Sequence, residues 1–321
     1  MERSISMKMK MKFGRSIVIA FILIVGAGSA AGLWLDRRDA LSSLPRPQHG
    51  LEIERTSLAY RDRRRVEHIV FTTAALGEIG VVVSLPDPLP DRKLPLLIVL
   101  GGLGTGEDNI RVIADAGDNV IVGYDWPIAP RFDGFGGLSH ALRHYQDVMA
   151  IPAQVTSAID FLASQPWADD KRISLLGYSL GALAAPAIQD VAEHDGRNIG
   201  WTILAYGGAP FGELVAASPH VKPGWARPIL ASVVDVLLHP LQPTEHLAHL
   251  SGQFLILEGH GDTLIPESAR ARLREAAPEP KTIMDFEGDH MGVGSEKTAL
   301  LQRIIAASTT WLIEKGAVNP L

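Results

Sequence analysis

The aliphatic run Leu94–Leu100 contains no polar side chain and ends directly in Gly101-Gly102. A strand of that composition has no solvent face, so it is expected at the centre of a sheet covered on both sides. Further strand-like runs recur at helix-length intervals: Asn119–Tyr124, Arg172–Gly177, Trp201–Tyr206, Gln253–Glu258 and Thr282–Phe286. Helices are expected near Asp108–Ala116, Ser139–Gln165, Leu180–Ala192, Glu267–Ala276 and Glu296–Lys315. Pro152 should kink or break the second of these. Strands separated by helices mean βαβ units, and so an α/β fold with a mostly parallel central sheet flanked by helices. Val66–Thr73 and Ile79–Leu85 read as a hairpin or meander ahead of it. There is no internal repeat, and residues 51–321 are read as one domain.

The residue inventory narrows the chemistry. With 46% hydrophobic and 21% charged residues, the chain is too apolar to remain disordered. A formal charge of −6 speaks against a dedicated nucleic-acid binder, which carries a basic face. The absence of cysteine excludes disulfides, thiolate metal sites, a cysteine nucleophile and a lipidated cysteine together. Hydroxyls, imidazoles and carboxylates are left to do the work.

The N-terminus is a separate object. Residues 1–15 carry Arg3, Lys8, Lys10, Lys12 and Arg15 against Glu2, a local charge of +4, which leaves −10 for the remainder. Residues 16–35 then hold no charge at all. Twenty residues at a helical rise of about 1.5 Å just cross a bilayer core of about 30 Å. Basic, apolar and small residues in that order also describe a cleavable signal peptide, with Gly26–Gly32 as its small-residue region. Leu33-Trp34-Leu35 favours a retained anchor. Both readings place the body on the non-cytoplasmic side, membrane-anchored if the segment is kept and secreted or periplasmic if it is cut. Residues 36–50, with Pro45, Pro47 and Gly50, read as a linker. Residues 207–251 hold six prolines and a short helical stretch near Ile229–Leu238, and read as a candidate lid or as an irregular surface excursion.

Gly177-Tyr178-Ser179-Leu180-Gly181 is a G-x-S-x-G motif lying between an expected strand and an expected helix. That context matters: a sharp strand-to-helix turn presents the serine hydroxyl at a helix N-terminus, whose amides favour developing negative charge. A serine attacks only when a base takes its proton and a carboxylate orients that base. Downstream, Phe254–Glu258 empties into a loop carrying Asp262, and Phe286 leads into a loop carrying His290.

The order Ser179, Asp262, His290 resembles that of the α/β-hydrolase superfamily of serine hydrolases, over roughly residues 65–315. Trp167–Ile173 resembles, more weakly, the approach to the serine in dienelactone-hydrolase-like and prolyl-oligopeptidase-like esterases. The resemblance implies Ser179 as nucleophile, Asp262 as triad acid and His290 as general base. Oxyanion donors are expected from the amide of Leu180 and from Leu103 or Gly102. Gly101-Gly102 stands where many relatives carry His-Gly, which removes a side chain but no backbone donor.

Other residues are given lesser parts. His260 shares the loop of Asp262 and is not expected to face Ser179, Glu258 is the reserve acid, and Asp289 reads as a solvated loop carboxylate. His246 and His249 read as surface or lid residues, Arg61 and Arg63–Arg65 as a solvated turn, and Asp125–Pro127 as pocket lining or loop packing. The expected activity is hydrolysis of a small-molecule carboxylic ester through an acyl-enzyme, with no metal or organic cofactor. Acyl transfer, thioester or peptide cleavage on the same triad remains open, as does a non-catalytic membrane-tethered binding protein on a hydrolase fold. The membrane is a partner only if the N-terminal segment is uncut; no nucleic acid is expected.

Overall fold

A computed structural model describes residues 37–61, 63–102, 105–113, 116–127, 138–291 and 298–320. The expected anchor or signal segment, 16–35, lies outside the described residues. Among those described, no helix is long and apolar enough to cross a membrane.

Among the described residues, nine strands form one sheet in the order β1-β2-β3-β5-β4-β6-β7-β8-β9. β1 (Glu52–Arg61), β2 (Arg64–Thr73) and β3 (Gly77–Pro86) make an antiparallel meander that joins the rest through β5 (Val120–Tyr124). From β5 onward the pairing is parallel: β4 (Leu94–Leu100), β6 (Ala168–Tyr178), β7 (Trp201–Ala205), β8 (Gln253–Gly259) and β9 (Lys281–Phe286). Every residue of β4 and β5 is buried, as an unbroken aliphatic run requires. β1 was not expected from the sequence. It is an exposed edge strand, and its alternating charges hide the strand pattern.

The helices among the described residues are α1 (Gly106–Arg111), α2 (Leu138–Ala163), α3 (Leu180–His194), α4 (Phe211–Ala217), α5 (Arg227–Leu237), α6 (Pro243–Leu247), α7 (Glu267–Ala276) and α8 (Thr298–Glu314). Six of them follow the expected places, whereas α4 and α6 were not expected. Pro152 does not break α2, which runs through it for 26 residues. α1 is shorter than expected and ends at Arg111. The two larger of the buried clusters hold the layers together. One contains Ile98, Val122, Ile159, Leu175, Ile188 and Phe254; the other holds Val99, Leu176, Ile203, Leu257, Ile304 and Trp311.

Arg64 overturns the reading of the arginine run as solvated. Its guanidinium donates to Ser84 Oγ at 2.8 Å and to the carbonyls of Ser84, Gly117 and Asn119, pinning β2 to the loop before β5.

The chain order reverses around β4: the link to β5 runs to one side, whereas β6 lies on the other. At such a switch point the crossovers diverge and leave a crevice beyond the strand ends. Leu100 pairs with Gly177 there, so Gly101-Gly102 and Ser179 leave adjacent strands together.

Candidate active site

Ser179 sits on the turn between β6 and α3 with φ 54 and ψ −111, a backbone shape that L-residues avoid. The flanking glycines are forced by contact. A Cβ on Gly181 would lie 1.9 Å from the carbonyl oxygen of Leu100, and one on Gly177 would lie 2.6 Å from the carbonyl oxygen of Gly181. Ser179 N–H donates to the Ala205 carbonyl at 2.8 Å, continuing the sheet's hydrogen bonding past the end of β6. Leu180 is the first residue of α3, so its amide belongs to the unpaired N-terminal turn.

The three residues expected to act together are brought together. Ser179 Oγ is 2.7 Å from His290 Nε2, and His290 Nδ1 is 2.8 Å from Asp262 Oδ2. An ionised carboxylate only accepts, so Nδ1 carries the proton and Nε2 presents a lone pair to the serine hydroxyl. The other oxygen of Asp262 accepts from the amides of Leu264 at 2.8 Å and Ile265 at 3.0 Å. Both Asp262 and His290 are buried, while Ser179 keeps partial access to solvent.

The oxyanion donors are partly placed. A Cβ on Gly102 would lie 3.7 Å from Ser179 Cβ, so that end of the glycine loop borders the serine. Leu103 lies outside the described residues. The loop's far end is held by Asp125, whose Oδ1 accepts from Gly106 N–H at 2.7 Å while Oδ2 meets His68 Nε2 at 2.9 Å. Asp125 thus braces this loop, and Trp126 packs edge-on against Tyr124.

His260 is exposed, and its amide donates to the Phe286 carbonyl. Glu258 is committed to an ion pair with Arg274, and burial raises its pKa above the ordinary carboxylate value. Asp289 is an exposed loop carboxylate, as expected, and its Oδ1 also accepts from Thr263 and from the His290 amide, so it ties the loop of Asp262 to the loop of His290. One expectation needs correction. His246 is fully buried between Asp190 Oδ2 at 2.7 Å and the Pro240 carbonyl at 2.9 Å.

Two further residues went unnoticed in the sequence. Arg270 is buried and donates to the carbonyls of Gly259 and Ile265, clamping both ends of the loop that carries Asp262. Tyr206, at the end of β7, has φ 57, is fully buried, and sets its ring edge-on to His290 at 5.6 Å. Neither carries a local motif; each is recognisable only once β7, β8 and α7 are side by side.

No protein-family model matches the sequence, and no curated protein matches it. Solved structures do resemble it. An acetyl xylan esterase from a Paenibacillus species superposes with a TM-score of 0.58 at 18% identity, covering 86% of this chain and 93% of that one. An acetyl xylan esterase from a Thermoanaerobacterium species gives 0.56 at 14% identity, over 84% and 92% of the two chains. A carboxylesterase from Lactobacillus plantarum gives 0.54 at 13% identity, over 84% and 100%. With its largely parallel sheet and its serine on a strained turn between β6 and α3, the chain has the α/β-hydrolase fold.

Proposed function

We propose that the chain is a serine hydrolase that cleaves carboxylic esters, with Ser179 as nucleophile, His290 as general base and Asp262 as the carboxylate that orients it. The observation that carries this reading is the unbroken relay Ser179 Oγ to His290 Nε2, then His290 Nδ1 to Asp262. The esterases that share the fold support the choice of an ester bond.

Ser179 Oγ bonds to the ester carbonyl carbon as its proton passes to His290 Nε2, and the carbonyl oxygen takes the negative charge. Amides of Leu180 and of the Gly102–Leu103 turn are assigned to that oxyanion. On collapse the carbon–alkoxy bond breaks, and the alkoxide leaves with the proton from His290. Water then enters, gives its proton to His290 and bonds to the acyl carbon. The acid departs as Ser179 regains its hydrogen. Asp262 stabilises the transient imidazolium and fixes its tautomer.

The body is assigned to the non-cytoplasmic side, behind a signal peptide or membrane anchor at residues 16–35, because of the basic flank and uncharged run there. Ser179→Ala tests the enzyme reading. It should abolish labelling by a fluorophosphonate and lower p-nitrophenyl ester turnover by about a millionfold. Labelling that persists in this variant overturns the assignment.

A further inference from the structure

α5 turns one side to the protein and the other to solvent, and the two sides differ in chemistry. On the inner side, Asp235 Oδ1 accepts from Gly212 N–H at 2.6 Å and from Gln242 Nε2 at 2.7 Å, tying α5 to α4 and to the turn before α6. On the outer side, Ile229, Val233 and Leu237 recur at helical spacing with Leu230 beside them, and they are 60%, 46%, 48% and 42% exposed. Trp225, in the 3-10 turn Gly224–Ala226 just ahead of the helix, is 75% exposed. Large apolar side chains grouped this way on a water-facing helix mark a surface that meets something else.

We infer that the outer face of α5, with Trp225, docks on an anionic lipid surface. Three observations favour this occupant. The first is charge: from Leu214 to Val234 there is no acidic residue, while Lys222 and Arg227 lie within that stretch of an otherwise acidic body. Basic side chains beside an apolar face suit anionic headgroups over an acyl boundary. The second is area. An eleven-residue helix offers a footprint of about 16 Å by 10 Å. That falls far short of the ~800 Å² each partner gives to a stable protein interface. A helix lying in a lipid interface needs only its own apolar face. The third is where the chain joins the body. Leu44 shares a buried cluster with Leu241, and Leu41 and Leu238 pack against it, beside the C-terminal end of α5. The basic and uncharged residues 1–35 precede that point in the sequence. The inference goes beyond the esterase reading and does not depend on turnover.

Because the chain has no cysteine, Val233→Cys accepts an environment-sensitive thiol-reactive fluorophore at a single place in the full-length protein. Glu314→Cys, exposed at the end of α8, is the control. Vesicles of phosphatidylcholine mixed with phosphatidylglycerol should shift the emission at 233 to the blue and leave that at 314 unchanged. Pure phosphatidylcholine should give a weaker shift. Adding Lys222→Gln should lower the ratio of docked to undocked label on the anionic vesicles roughly fivefold. No shift at 233, or equal shifts at 233 and 314, overturns the inference. So does a blue shift at 233 that grows with protein concentration without lipid, which would assign the face to a second copy of the chain.

Discussion

Asp289 Oδ1 accepts two hydrogen bonds from Thr263, one from its N–H at 3.0 Å and one from its hydroxyl at 2.8 Å. The same oxygen accepts from the amide of His290 at 2.7 Å. One carboxylate therefore fixes the loop of Asp262 relative to the loop of His290. The relay to Ser179 depends on that spacing, although Asp289 touches none of its side chains through these bonds.

Removing this tie should reduce rate more than binding. Asp289→Ala is expected to lower kcat roughly tenfold or more with KM little changed, since small misplacements of catalytic groups cost large factors in rate. Thr263→Val, which keeps the backbone bond, should do less. Because both variants loosen one connection, the double variant should be less impaired than the product of the single effects. Steady-state kinetics on a p-nitrophenyl ester separates these outcomes. Full activity in Asp289→Ala would remove the residue from the machinery.

Tyr206 makes a second test, with ring and hydroxyl separable. Burial, followed by the nearby Asp262 carboxylate, pushes its hydroxyl up to about 12, so it stays neutral across the working range. Among the described residues the buried hydroxyl has no hydrogen-bond partner, whereas the ring meets His290 edge-on. A Cβ on Gly259 would lie 2.5 Å from that ring, so the side chain sits against the start of the acid loop. Tyr206→Phe should therefore keep kcat and leave stability unchanged or slightly raised. Tyr206→Ala should cost about 3–5 kcal/mol and lower kcat by freeing the imidazole. Urea unfolding together with kcat for the pair decides the matter; an inactive Tyr206→Phe would mean that the hydroxyl itself participates.

What the sequence made legible shares one physical origin. β4 is an uninterrupted apolar run, and the buried parts of β6 and β8 are largely apolar, because both their faces are covered, and each ends where glycines admit a sharp turn. Ser179 and Asp262 could be picked out because each follows such a strand, and His290 because it is the histidine on the loop after the next strand, β9. β1 escaped notice because an exposed edge strand needs no apolar stripe. Asp289, Arg270 and Tyr206 were missed or undervalued because their roles arise from neighbours on other loops and strands. The outer face of α5 reads in sequence like any amphipathic helix; only its exposure sets it apart.

The end of the 207–251 segment should respond strongly to a single change. His246 is fully buried, with one ring nitrogen on Asp190 and the other on the Pro240 carbonyl, and it joins α6 to α3. His246→Leu leaves the Asp190 carboxylate buried without this partner and is expected to destabilise the protein by about 3–5 kcal/mol. Adding Asp190→Leu should restore part of that loss, because both polar groups are then gone. Equilibrium unfolding in urea measures both. A single variant as stable as the parent would show that the pair contributes nothing net.

The network around Arg274 predicts opposite pH effects from two glutamates. Arg274, then Arg270, hold the Glu267 carboxyl down, from 4.5 to about 2. A lowered acid contributes stability above its unfolded value, and that contribution fades as pH falls from about 4.5 toward 2. Glu267 is largely exposed, so screening limits its share to ~1 kcal/mol or less. Glu258 behaves the other way. Burial outweighs Arg274 and raises its pKa, so its contribution is present below its unfolded value and is lost as pH rises through the folded one. Glu267→Gln should therefore flatten the acid limb of a stability–pH curve, whereas Glu258→Gln should flatten the limb above pH 4.5. Unfolding free energies measured across that range for both variants test the assignment. Parallel curves for the two would show that Arg274 does not divide its charge between them as the geometry indicates.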